Sequence, residues 1–73
     1  MRLTELSSDL QALRADLADE LLAINRCEAQ TFSLSDEQAR EAMARLVDDK
    51  KRHVALLLGE LRRLDPKQRE KLV

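Results

Sequence analysis

Three ionisable side chains stand at positions where the pattern of this 73-residue chain predicts apolar ones. Glu20 lies in the first half, and Lys50 and His53 lie three residues apart in the second half, which places both on one face of a helix. A carboxylate in an apolar layer needs a charged partner, and Lys50 and His53 supply one. One interpretation is a polar contact that fixes the register of packed helices. The other is that Glu20 and His53, a carboxylate and an imidazole, bind a metal ion.

The spacing of apolar residues predicts a first helix over about residues 4–31, with Thr4 as its cap. Steps of three and four are typical of the buried seam of a helix. Glu20 and Cys27 fill the two positions of this seam that lack their expected apolar residue. The other members are Leu3, Leu6, Leu10, Leu13, Leu17, Ile24 and Thr31.

A second helix is expected over about residues 36–63. Ser35 followed by Gln38 is a capping box, and Asp36 adds negative charge to the first turn. The loop of residues 32–35 is so short that the helices must be antiparallel neighbours. After Asp65 and Pro66, a short last helix is expected to residue 72. The second seam comprises Ala39, Met43, Leu46, Lys50, His53, Leu57 and Leu64, with Glu60 and Leu61 sharing one step.

The antiparallel arrangement predicts that the three ionisable groups meet. With the turn near residues 33 and 34, Glu20 lies opposite Val47, and Lys50 is about one turn farther from the loop. Side chains lean toward the N-terminus of their own helix, so Glu20 leans toward Lys50 and His53. We therefore expect one polar layer, which is doubled if the hairpin dimerises about a two-fold axis.

Size and composition indicate one all-α domain, residues 1–73, that depends on partners. A chain this small rarely stabilises itself by its core alone, and its single cysteine excludes an internal disulfide. Self-association or a metal remains. With 13 basic and 14 acidic residues, neither nucleic acid nor a membrane is an expected partner. The N-terminus lacks the apolar core of a signal peptide, which, with the free thiol, favours the cytoplasm.

Cys27 is most simply a small buried apolar residue. The alternatives are a weak metal ligand and an oxidation-sensitive thiol. Catalysis of another kind is not expected, because the chain has no nucleophile paired with a base, no glycine-rich phosphate loop and no zinc-type spacing of Cys and His.

Two stretches, "ELLAINRCEAQ" and "LVDDKKRHVALLLGELRRLDP", resemble the two-helix ferritin-like proteins called encapsulated ferritins. The resemblance covers about residues 17–66. Glu20 matches the ligand on the first helix, His53 matches the histidine of a Glu-x-x-His motif, and "ELRRLDP" matches the end of the second helix. The resemblance implies that two hairpins dimerise into a four-helix bundle with two iron atoms at the interface. It also implies oxidation of ferrous iron for storage, and an encapsulin shell as partner and compartment.

The sequence departs from the family pattern at two positions of the metal site. Lys50 stands where the motif has its glutamate, and Cys27 replaces an aromatic residue. We therefore expect a ferritin-like iron-handling scaffold whose di-metal site is altered or inactive, with Glu20 and His53 as the remaining metal ligands. If Lys50 replaces the metal, no cofactor is expected. The alternative is a metal-free helical module for oligomerisation or for binding another protein through its seam.

Overall fold

In this computed structural model, residues 2–71 are described, except for the side chains of residues 68 and 69. They form three helices: α1, Leu3–Ser33; α2, Glu37–Leu64; and α3, Pro66–Lys71. No strand occurs in this part of the chain, which confirms the all-α class. None of the three helices is both long and apolar enough to cross a membrane.

The cap of α2 differs from the prediction. Asp36, not Ser35, is the N-cap, and its carboxylate accepts a hydrogen bond of 2.8 Å from the backbone N–H of Ala39. A carboxylate caps as well as a hydroxyl does and also complements the positive end of the helix dipole, which favours Asp36 over its neighbour. The loop is residues 34–36, one residue shorter than expected.

The start of α1 also differs from the prediction, because Arg2, not Thr4, is its N-cap. The Glu5 carboxylate accepts a hydrogen bond of 3.3 Å from the backbone N–H of Arg2. Asp65 precedes α3 as expected, and its Oδ1 accepts a hydrogen bond of 3.1 Å from the backbone N–H of Lys67.

Two ion pairs, one from α1 to the C-cap residue of α2 and one from α1 to α2 itself, show that these helices run antiparallel. Arg14 Nη2 lies 2.9 Å from Asp65 Oδ2, and Glu28 Oε1 lies 3.6 Å from Lys51 Nζ. Arg14, Leu21 and Glu28 recur every seven residues and therefore lie along one side of α1. We call the side of the hairpin that carries both pairs the ion-pair side.

The buried face of α2 is rotated from the predicted seam. Leu46 is 49% exposed and His53 is an exposed residue, although both were expected inside. Val47 is buried and Val54 half-buried in their place. The apolar arc of α2 is wider than one helix can cover, so α1 covers its middle and leaves one edge open. Leu46 and His53, seven residues apart, lie on this edge, which we call the histidine side.

The core of the hairpin is small. Four apolar residues are buried among those described, namely Ala23, Cys27, Val47 and Leu61. The whole hairpin exposes 5780 Å², against about 4,600 Å² for an average compact monomer of 8.4 kDa. Its extents of 51 × 23 × 14 Å explain the difference, because a two-helix layer is thin. Large apolar side chains remain exposed: Leu3, Leu21, Leu22, Phe32, Leu46 and Leu56.

The position of Cys27 leads to a labelling prediction. Its side chain is buried, with 6% exposure, so its thiol should react with a disulfide reagent only when the hairpin opens. Replacement by Ala should lower the free energy of unfolding by about 1–2 kcal/mol. As a reference, a variant with Cys27→Ala and Ala29→Cys places the thiol at an exposed position of the same helix and should react at once. Equal labelling rates in the native state would show that Cys27 is accessible.

Candidate functional site

The structure brings Glu20, Lys50 and His53 together across the two long helices. Glu20 Oε1 lies 3.4 Å from Nδ1 of His53, and Glu20 Oε2 lies 3.7 Å from Nζ of Lys50. The two oxygens of one carboxylate therefore face two different nitrogen groups of α2. The three-residue spacing of Lys50 and His53 produces this arrangement, because it turns both toward the same stretch of α1.

The carboxylate of Glu20 is only partly satisfied within one hairpin. The side chains of Glu20 and Lys50 are 23% and 26% exposed. The Oε2 atom itself has no contact with solvent and no hydrogen-bond partner, and 3.7 Å to Lys50 Nζ is too long for a hydrogen bond. A buried carboxylate oxygen that accepts no hydrogen bond is costly, so this geometry is that of an incomplete site.

His53 closes one edge of the site and is its most accessible member. Its side chain is 57% exposed, because it lies on the histidine side and not under α1. A shallow groove continues from Glu20 and His53 along this side of the hairpin. Leu56, 67% exposed, contributes apolar surface beside the charged groups. The groove is lined by Asp16, Asp19, Glu20, His53, Leu56 and Leu57.

The helices carry opposite charge, a feature that the overall composition hides. α1 has six acidic and two basic side chains, a net charge of −4, whereas α2 has five acidic and seven basic ones, a net charge of +2 with His53 neutral. Glu20 and Glu28 of α1 each face a lysine of α2. Attraction between unlike helices therefore favours every arrangement that puts α1 beside an α2.

Other charged and polar groups make local contacts outside this cluster. Asp49 pairs with Arg52 one turn later on α2. A hydrogen bond from Arg63 lowers the pKa of Glu60 below its usual value. This exposed pair lies within α2 and contributes little to stability; its contribution is present above the pKa of a free glutamate and is lost as the pH falls through the lowered value. The backbone carbonyl of Cys27 accepts a 2.8 Å hydrogen bond from Thr31 Oγ1, a bond within α1.

In comparisons with family models, curated proteins and solved structures, nothing matches this chain. The ferritin-like resemblance therefore rests on the two stretches of sequence described above. Iron is the cofactor that this resemblance implies, and its fit is tested by the donors present.

The residues present do not fit a di-iron centre. Among the residues that the structure describes, no three His, Cys, Asp or Glu side chains are grouped to hold a metal ion. Glu20 and His53 are two donors, and an ammonium lies beside them. In a two-fold dimer, two Glu20 and two Lys50 already sum to zero charge. Two divalent cations would then add +4 to these four groups, and an uncompensated buried charge costs several kcal/mol per ion.

This charge count leads to a prediction for Lys50→Glu. In chelator the variant should melt below wild type, because like charges crowd around Glu20. With Zn²⁺ its melting temperature should rise by several degrees, because four carboxylates and two imidazoles balance two metal ions. Wild type should change little. Thermal melts with and without metal measure both effects.

Lys51→Glu is the matched control. It makes the same charge change one residue away, beside Glu28 on the ion-pair side, where both partners are at least half exposed. It should show no stabilisation by metal. Strong stabilisation of wild type by stoichiometric metal would instead establish Glu20 and His53 as an intact metal site.

Proposed function

We propose that this chain is a ferritin-like half-bundle that works as a self-associating scaffold, with the Glu20–Lys50 pair in place of a di-metal centre. The observation that carries the proposal is the exposed apolar surface around a core too small to hold two helices alone. In the ferritin-like arrangement, a second hairpin covers this surface and completes a four-helix bundle.

The size of the surface agrees with an obligate dimer. An average compact protein of twice this mass exposes about 7,700 Å², whereas two separate hairpins expose about 11,600 Å². Reaching the compact value requires burial of roughly 3,900 Å² in total, within the range of obligate homodimers. Two long helices offer this much surface on one broad face.

The histidine side is the proposed dimer face. It carries the incomplete Glu20 site together with Leu46 and Leu56, two of the exposed leucines. A two-fold axis here places each site beside its copy and covers both leucines. The opposite charges of α1 and α2 favour packing of each α1 against the partner's α2, and disfavour packing of like helices.

Iron handling is the second candidate function. The contact of 3.4 Å between Glu20 and His53 favours it, since these are the two positions that match the metal ligands of encapsulated ferritins. In that case the chain would oxidise iron for storage, with an encapsulin shell as partner and compartment. The Lys50 ammonium beside the carboxylate disfavours this candidate. A module that binds a different protein through its open edge is the remaining alternative.

Substitution of two equally exposed leucines tests the dimer face. Leu46→Glu places a charge on the histidine side, and Leu21→Glu places one on the ion-pair side; the native side chains are 49% and 47% exposed. Their costs within one hairpin should therefore be similar. In sedimentation at micromolar concentration, wild type and Leu21→Glu should be dimers or larger, and Leu46→Glu should dissociate. If Leu21→Glu dissociates and Leu46→Glu does not, the dimer interface lies on the ion-pair side. If wild type is a compact monomer, the proposal of a self-associating scaffold is wrong.

A further inference from the structure

We propose that the Lys50 ammonium of each hairpin completes the Glu20 site of a second copy, so that two carboxylates and two ammoniums form one metal-free network across the two-fold axis. The inference rests on the proposed self-association through the histidine side. It adds that the partner copy contributes a residue to the site, which is incomplete without it.

The unsatisfied oxygen of Glu20 favours a partner from a second copy. Glu20 Oε2 is hidden from solvent and accepts no hydrogen bond. Within its own hairpin the nearest cation, Lys50 Nζ, stays at 3.7 Å. An ammonium has three donors, and a contact of this length uses none of them in a hydrogen bond. Each hairpin therefore has an oxygen, Glu20 Oε2, that lacks a hydrogen-bond donor. It also has an ammonium, that of Lys50, whose N–H groups can donate to a second chain.

Docking of a second hairpin increases the need of these charged groups for partners. The side chains of Glu20, Lys50 and His53 keep 23%, 26% and 57% of their exposure in the single hairpin. A second hairpin on this side removes the water that now solvates them, and a buried charge without a close opposite charge is strongly destabilising. The reciprocal pairing removes this penalty, because each carboxylate then lies between two ammoniums.

The charges of the paired groups also balance. Two Glu20 and two Lys50 sum to zero, so these four groups balance one another without any added ion. Alternating charges about a two-fold axis also fix one register, since sliding one hairpin along the other brings like charges together. Glu20 and Lys50 would thus make a metal unnecessary, and they would also select one arrangement of the dimer.

Mixing two single variants, with chelator present throughout, tests whether the pairing crosses between chains. E20K places two lysines in the cluster of one chain, and K50E places two glutamates there. Each variant alone should dimerise roughly 100-fold more weakly than wild type. An equimolar mixture should recover tight association as a 1:1 heterodimer, seen by native mass spectrometry, because every charge then meets its opposite on the other chain. A pairing confined to one hairpin gains nothing from mixing.

The matched control uses the ion pair on the other side of the hairpin. E28K and K51E reverse the two members of the Glu28–Lys51 pair. Each should dimerise as wild type does, and their mixture should contain homodimers and heterodimers in statistical proportion. If E28K and K51E prefer the heterodimer as strongly as E20K and K50E do, the preference comes from the overall charge of the chains. The assignment to Glu20 and Lys50 would then be wrong.

Folding itself provides the second readout if the single variants are unfolded alone. Helical circular dichroism should then appear on mixing E20K with K50E. If the mixture stays unfolded or unassociated while the double variant E20K/K50E folds, the pair acts within one chain and the inference is wrong. Failure of the scaffold proposal is separately visible, because wild type would then sediment as a monomer.

Discussion

The charge of Glu20, held between two helices, constrains the rest of this hairpin. It occupies a seam position of α1, where its neighbours Ala23 and Cys27 are buried. A carboxylate at that depth destabilises the helix pair unless polar or charged groups reach it, and α2 brings the Lys50 ammonium and the His53 ring to its two oxygens. These contacts favour one register of α2 against α1, since a slide by one turn would leave the carboxylate facing apolar side chains.

The hairpin and the cluster are largely predictable from the sequence, because they depend on periodicity. The seam of α1 from Leu6 to Thr31 follows steps of three and four, and its residues lie inside or half-buried. The meeting of Glu20 with Lys50 and His53 follows from a short loop and from the direction in which helical side chains lean. Both signals are local, and both survive small errors at the helix ends.

The remaining differences have physical causes that periodicity does not contain. Ser35 and Asp36 are adjacent acceptors, and only the backbone path shows that Asp36 caps α2. Leu46 and His53 lie on an arc of α2 that one partner helix cannot cover. The periodicity therefore predicts that they are buried, as in a bundle of several helices, whereas the single hairpin leaves them exposed. The opposite charges of α1 and α2 become visible when residues are grouped by helix, since the total over the chain nearly cancels.

In the proposed bundle, an internal cation takes the place of a bound one. Lysine carries its charge on a flexible stem and is covalently part of the fold, so such a site is complete whenever two chains meet. In that proposal the exposed leucines would supply the apolar contact, and the opposite helix charges would favour unlike neighbours. A scaffold built in this way assembles without depending on the supply of metal.

Metal content of the native oligomer after exposure to ferrous iron tests this account most directly. The oligomer is separated from free iron by gel filtration, and the iron per chain is measured by elemental analysis together with the mass in solution. The account predicts a dimer or larger species that retains much less than one iron per chain. Retention of one iron per chain in that species would contradict it, and would show that Glu20 and His53 hold a metal despite the ammonium of Lys50.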